Sequence, residues 1–174
     1  MTAICVPSEL RTVRTTAITR ELRAASIMVE RALALDPNSA WAWNRSGWVR
    51  NYLNEPEVAI QHFERSMRLS PFDPMNFNCF AGLGEAHFRA ARYDQSVYWF
   101  EKALLTNPAA IWVNRILAPA YVFADRQSDA ERSIEVLLAE YPGLTIHDVA
   151  AAHAFGGDVV KRMAEGLRTA GLPE

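Results

Sequence analysis

Cysteine is scarce: Cys5 and Cys79 are the two in 174 residues. No paired spacing links them, which argues against a disulfide framework and fits a reducing compartment. An excess of one charge is missing as well. Eighteen Lys and Arg stand against 20 Asp and Glu, a net charge of −2, so nothing in the overall balance points to nucleic acid. No apolar run approaches the ~20 residues that cross a bilayer, and membrane insertion is not expected. The opening Met-Thr-Ala-Ile-Cys-Val-Pro lacks a basic region followed by a long apolar stretch, so it does not read as a secretory signal. A cytoplasmic, bacterial setting is the expectation. Half the residues are hydrophobic and 22% are charged, the balance of a globular domain with a core of its own.

The groupings that carry chemistry are also missing. The four histidines are His62, His87, His147 and His153. None pairs at i, i+4 with an acidic third ligand, and His147 and His153 fall on different helix faces, so no metal is expected. His87 reads as a packing residue. Cys79 has no basic neighbour to lower its pKa and is a poor candidate nucleophile. Gly82-Leu-Gly84 and Gly156-Gly157 follow no strand and are not phosphate loops. No Ser/His/Asp order or paired carboxylates in a strand-and-loop setting is present. The reading is a chain that is not an enzyme, with no cofactor.

What is present is a period. Pro37, Pro71, Pro108 and Pro142 stand 34, 37 and 34 residues apart. Each follows an apolar helical run, such as Ala32-Leu-Ala-Leu35-Asp-Pro37, and each marks a helix end. In phase with them lie Trp43, Ser46, Gly47, Ala59, Phe63, Ser66 and Pro71, close to the W-x2-L-G-x2-Y … A-x3-F … P pattern of a helix–turn–helix unit. Ser46 stands where the pattern has Leu and Arg50 where it has Tyr. On these residues, residues 24–144 resemble the tetratricopeptide (TPR) family. The resemblance implies an all-α fold: a right-handed antiparallel helix-pair solenoid, a TPR-like α-α superhelix, with C-terminal capping helices.

Counting from the prolines divides the chain. Residues 1–22 read as an irregular or degenerate N-terminal helix, because Thr12, Thr15, Thr16 and Thr19 are mediocre helix formers. Residues 23–144 read as the array, a half repeat at Arg23–Leu35 and three repeats at 40–73, 74–110 and 111–144. Asn38 or Ser39 caps the first helix of the opening repeat, and Pro56 begins the second at a position where its missing N–H costs nothing. Gly47, Ala59 and Gly84 are small because helices cross closely there. The second repeat places Phe80, Leu83, Gly84 and His87, then Ser96, Phe100 and Ala103, in phase. Its extra residues, Pro74-Met75-Asn76, are expected to lengthen the first helix by about a turn. The third repeat holds Pro119 inside its first helix, which predicts a bend near Arg115–Pro119. Residues 145–174 break the period. Thr145 with Asp148 predicts a capped helix to about Phe155, stopped by Gly156-Gly157. Asp158 is expected to cap a last helix whose stripe of Val160, Met163, Ala164 and Leu167 covers the end of the solenoid.

Family resemblance also implies a concave face lined by positions 2, 5, 9, 12 and 13 of each first helix. Here these are Trp41, Asn44, Trp48, Asn51 and Tyr52; then Asn78, Ala81, Glu85, Phe88 and Arg89; then Trp112, Arg115, Pro119, Val122 and Phe123. Of these, Trp41, Asn44, Trp48, Asn51, Tyr52, Asn78, Glu85, Arg89, Trp112 and Arg115 are the candidate partner-binding residues. Aromatics mixed with Asn and Arg suit a protein or peptide partner, or a flanking domain of a longer protein. The alternative is that neighbouring helices, a folded-back C-terminal segment or a homodimer covers them. The clamp by which some eukaryotic TPR domains hold chaperone tails needs Lys and Asn where Asn44 and Trp48 stand, so that binding mode is not implied.

A narrower resemblance rests on Ala32-Leu-Ala-Leu-Asp-Pro37, Phe63-Glu-Arg-Ser-Met-Arg-Leu-Ser-Pro71-Phe-Asp-Pro74, Ala81-Gly-Leu-Gly-Glu-Ala-His-Phe88 and the ending Glu165-Gly-Leu-Arg-Thr-Ala-Gly-Leu-Pro-Glu174. These are similar to the C-terminal repeat regions of bacterial class III adenylate/guanylate cyclases and related winged-helix regulators. That resemblance implies a regulatory or dimerisation role for a region that does not itself cyclise nucleotide.

Overall fold

The computed structural model describes the backbone of residues 8–152 and 157–174, and the side chains of 20–151 and 157–174. Every described regular element is helical: α1 (Ser8–Leu35), α2 (Ala40–Tyr52), α3 (Pro56–Leu69), α4 (Asn76–Arg89), α5 (Tyr93–Thr106), a 3-10 turn at Ile111–Val113, α6 (Asn114–Phe123), α7 (Gln127–Glu140), α8 (Ile146–Ala152) and α9 (Asp158–Thr169). Helices α2/α3, α4/α5 and α6/α7 form successive antiparallel pairs, and each second helix also packs on the next first helix. The fold is the helix-pair superhelix.

Rings seated on glycines set the distance between helices. The Phe63 ring of α3 is fully buried and lies over both Gly47 of α2 and Gly82 of α4. A Cβ on Gly47 would stand 2.7 Å from its Cζ. Phe100 of α5 sits the same way on Gly84, where a Cβ would come within 2.7 Å of the ring. Ala59, Ala81 and Ala103 are fully buried at the same crossings. Real side chains do not approach this closely, so only hydrogen fits at these positions.

The turns inside the pairs repeat as the prolines do. Asn54, Ala91 and Asp125 each take a left-handed backbone, with φ of 61°, 56° and 56°. The N–H of the following residue bonds back across the helix end, from Glu55 to the Arg50 carbonyl, Arg92 to His87 and Arg126 to Tyr121, each at 2.9 Å. This is the Schellman closure of a helix C-terminus. Asn and Asp tolerate that backbone; Ala91 holds it against its own Cβ.

Local signals hold at several ends. Ser39 Oγ accepts from the Ala42 N–H at 3.3 Å, and Pro56 occupies the first turn of α3. Thr145 and Asp148 cap each other: the Thr145 N–H donates to Asp148 Oδ2 at 3.0 Å, and the Asp148 N–H to Thr145 Oγ1 at 3.2 Å. Three expectations are corrected. Helix α1 is one element through Ser8–Leu35, so the stretch read as irregular or degenerate and the half repeat from Arg23 share one helix; a long run of neighbours carries the threonines in helix. Residues 70–75 form turns before α4 starts at Asn76, so the extra residues of that repeat do not extend the helix. Asp73 Oδ1 accepts from the Met75 N–H at 2.8 Å, and Asn76 Nδ2 donates to the Ser70 and Pro71 carbonyls, which satisfies the loop locally. Gly157, not Asp158, precedes α9, and Asp158 pairs with Lys161 Nζ at 3.3 Å instead. Helix α9 buries its stripe as expected. It packs on α6, with Met163 and Leu167 buried. The cap on Ser8, the stretch around Cys5 and the end of α8 beyond Ala152, with His153 and Phe155, lie outside the described residues.

Substituting Ala for Gly84 should lower stability by about 1–3 kcal/mol, seen as an earlier thermal transition. Ala91→Gly should raise it by up to about 1 kcal/mol, because the left-handed backbone suits glycine. Both are read by denaturant unfolding.

Candidate functional site

Helices α2, α4 and α6, with the 3-10 turn before α6, face one another along one side of the array. Between them lies a cavity of about 350 Å³, lined by Arg45, Trp48, Tyr52, Asn78, Glu85, Trp112, Arg115 and Ile116. Six of the ten candidate residues therefore converge on one space: Trp48, Tyr52, Asn78, Glu85, Trp112 and Arg115.

The floor is aromatic. The Trp48 ring centroid is 6.3 Å from Trp112, 6.1 Å from Tyr52 and 5.7 Å from Phe63. Contact between Trp48 and Trp112 brings α2 against the 3-10 turn that precedes α6. Trp48 is thus 9% exposed and belongs to the core on one side. Its indole Nε1–H donates to Asn78 Oδ1 at 2.7 Å.

The rim is polar. Arg45 Nη2 also donates to Asn78 Oδ1, at 3.0 Å, and Arg45 Nε and Nη2 donate to Asn44 Oδ1 at 3.1 and 2.7 Å. The Arg45 guanidinium lies 4.1 Å from the Trp41 ring centroid. Arg115 stacks 5.0 Å over Tyr141, and its Nε is buried without a hydrogen-bond partner. Glu85 and Arg89 form an ion pair at 2.6 Å, each side chain 5% exposed. Burial, then the Glu85 charge, pushes the Tyr52 phenol up from its usual value. Tyr52 stays neutral at physiological pH.

Four candidates fall elsewhere. Asn51 is fully buried and its Nδ2 donates to the Gly82 carbonyl at 2.9 Å, so it ties α2 to α4 and does not face the groove. Asn44 is buried too, donating to Cys79 Sγ at 3.0 Å. Arg89 is held under the surface by Glu85. Trp41 is 57% exposed but lies outside the cavity, as the plate on which Arg45 rests. The position rule missed Arg45, although its i, i+4 spacing from Trp41 carried the signal.

The C-terminal segment covers the far end of this face. Gly166 of α9 packs on Pro119, where a Cβ would stand 2.7 Å from Pro119 Cα. Arg162 donates from Nη1 to Tyr93 Oη at 2.9 Å and from Nη2 to the Arg89 carbonyl at 3.0 Å. Its guanidinium lies 5.7 Å over Phe88. Phe88, Pro119 and Phe123 are therefore beneath α9, while the Trp48–Trp112 end remains a cavity.

Nucleophile chemistry is not supported. Burial pushes the Cys79 thiol up despite its bonds to Ser66 and Asn44. Among the described residues no group of three or more His, Cys, Asp or Glu is placed to hold a metal ion, and no helix is long and apolar enough to cross a membrane. Burial, then Arg50 or Arg92 respectively, lowers the His62 and His87 imidazoles below 6.5.

No family model matches the chain. Over 72 residues it is 32% identical to "Superkiller complex protein 3" of Homo sapiens, covering 41% of this chain and 4% of that protein. Over 112 residues it is 28% identical to "Superkiller protein 3" of Schizosaccharomyces pombe, covering 60% and 8%. "Anaphase-promoting complex subunit 3" of the same yeast is 28% identical over 89 residues, covering 51% and 13%. The chain thus spans a small fraction of the curated relatives it matches. Among solved structures, MamA superposes with a TM-score of 0.63 at 17% identity, covering 88% of this chain and 89% of that one. PilW, "widely conserved type IV pilus biogenesis factor", superposes with 0.51 at 16% identity, covering 94% and 90%. With the helix pairing, these likenesses support a TPR-like helix-pair fold. They bear on its architecture and not on the resemblance to cyclase tails.

Asn51→Ala should cost about 1–3 kcal/mol, since the Gly82 carbonyl loses its buried donor. Trp41→Ala should change stability by less than about 1 kcal/mol. Chemical denaturation of the two variants separates the buried candidate from the exposed one. The two histidines give a pH test. Their folded pKa values lie below those of the unfolded chain, so the unfolded state binds protons first as pH falls. Stability should be full above about pH 6.5 and decline below it, and replacing both by Gln should flatten melting temperature between about pH 7 and pH 5.

Proposed function

We propose that this protein is a non-catalytic interaction scaffold of TPR type, and that the cavity between α2, α4 and α6 receives a peptide segment or a projecting loop of a protein partner. The observation that carries this is the convergence of Trp48, Tyr52 and Trp112 with Asn78 and Arg115 on one open space of about 350 Å³. Rigid aromatic area with oriented polar groups at its edge is what peptide-binding sites use. The TPR-like architecture supports the reading, because stacked helix pairs present such an inner surface by construction. So do relatives whose names describe complex subunits. Covering by α9 shortens the groove and leaves the Trp48–Trp112 end for the partner.

The test compares faces. Arg115→Ala removes a lining group without touching a glycine seat, and should reduce capture of partners from an extract of the source cell by about tenfold or more. Leu105→Ser, on the opposite helix layer and 85% exposed, should leave capture unchanged. Both variants should melt within a few degrees of the wild type. Capture that survives Arg115→Ala and is lost in Leu105→Ser would place binding on the outer face.

A further inference from the structure

We infer that the cavity takes an acidic internal segment of its partner, with two side-chain carboxylates meeting Arg45 and Arg115 and an apolar side chain between them on the Trp48–Trp112 floor; this rests on the groove reading above. The argument begins from charge. Several arginines elsewhere in the array are neutralised within the fold: Arg50 by Glu30 and Glu55, Arg92 by Glu57, Arg126 by Glu101 and Asp129. Arg45 and Arg115 have no carboxylate partner among the described residues, although both line the cavity. The carboxylate at its rim, Glu85, is already paired with Arg89 at 2.6 Å. The site therefore carries two positive charges without counter-charge in a chain whose net charge is −2.

Both cations also rest on aromatic rings. Arg45 is fixed by Asn44 Oδ1, by Asn78 Oδ1 at 3.0 Å and by the Trp41 plate. Burial lowers its pKa, which remains far above neutrality. Arg115 lies over Tyr141 with its Nε enclosed and unpartnered. A cation partly removed from water and lacking a partner is an unfavourable arrangement that an incoming carboxylate relieves. Arg45, held by these bonds, has little rotamer freedom left to lose on binding. Two cations on different helices call for two negative charges. A chain end supplies one, whereas two acidic side chains flanking an apolar residue supply both and place the apolar group over the aromatic floor.

The experiment is a display selection on the immobilised full chain. One library presents random hexapeptides between neutral Gly-Ser flanks, and a second presents them at a free C-terminus. The expected result is enrichment, in the flanked library, of Asp or Glu on both sides of a Leu, Phe, Trp or Tyr. The selected peptide, acetylated and amidated, should lose about tenfold or more in affinity when its acids become Asn and Gln, and should weaken as salt rises. Arg45→Gln with Arg115→Gln should abolish the acidic preference, and the Lys pair should keep it, which controls for misfolding. Enrichment of neutral or basic segments that compete for the cavity overturns this inference and leaves the groove reading standing. Enrichment confined to the free-terminus library overturns the internal source. No enrichment in either library overturns the inference and the groove reading together.

Discussion

The Phe63 ring held between Gly47 and Gly82 is the contact on which the rest of the structure depends. It belongs to α3 and touches the helices on either side, so one side chain sets the spacing of three. Because a Cβ on Gly47 would sit 2.7 Å from the ring, α2 and α4 approach more closely than larger residues permit. Phe100 on Gly84 repeats the device one pair later. With α2 and α4 drawn this close, Trp48 reaches Trp112 of the 3-10 turn before α6 at 6.3 Å, and a cavity opens beside them.

Hydrogen bonds between helices hold the same crossings. Asn51 donates to the Gly82 carbonyl at 2.9 Å and Ser96 to the Gly84 carbonyl at 2.8 Å. Ser66 donates to the Ala40 carbonyl at 2.8 Å. These carbonyls already accept within their helices; the second lone pair takes the cross-helix bond. Small residues allow the approach and short polar side chains fix its register. Cross-helix bonds of this kind favour one arrangement of helices over slipped ones.

Much of the architecture was legible because its causes are local. Pro56, Ser39 and the Thr145/Asp148 pair act within a turn of themselves, and the ring seats recur with the proline period. What was not legible depends on distant parts of the chain. Nothing near Asn44 or Asn51 shows that α4 will cover them, so a position rule reads both as groove residues. Arg45 falls between the positions of that rule, yet the Trp41 side chain and Asn78 from the next pair bring it to the rim. The stripe of α9 announces a buried helix, but its docking on α6 depends on Gly166 meeting Pro119 and on Arg162 reaching the end of α4. The loop at 70–75 was misread because Asp73 and Asn76 satisfy its backbone where a helix was expected to do so.

Five tryptophans distribute reporters over the molecule. Trp48 and Trp112 form the cavity floor, Trp41 supports Arg45, Trp43 Nε1 donates to the Pro37 carbonyl at 2.9 Å, and Trp99 stacks on Phe80 on the opposite helix layer. The most direct measurement is the set of indole Nε1–H resonances in a nitrogen-15 NMR titration with a selected acidic peptide. The account requires Trp48 and Trp112 to shift together, with Trp43 and Trp99 unmoved. Shifts confined to Trp99, with Trp48 and Trp112 silent at saturation, would contradict it.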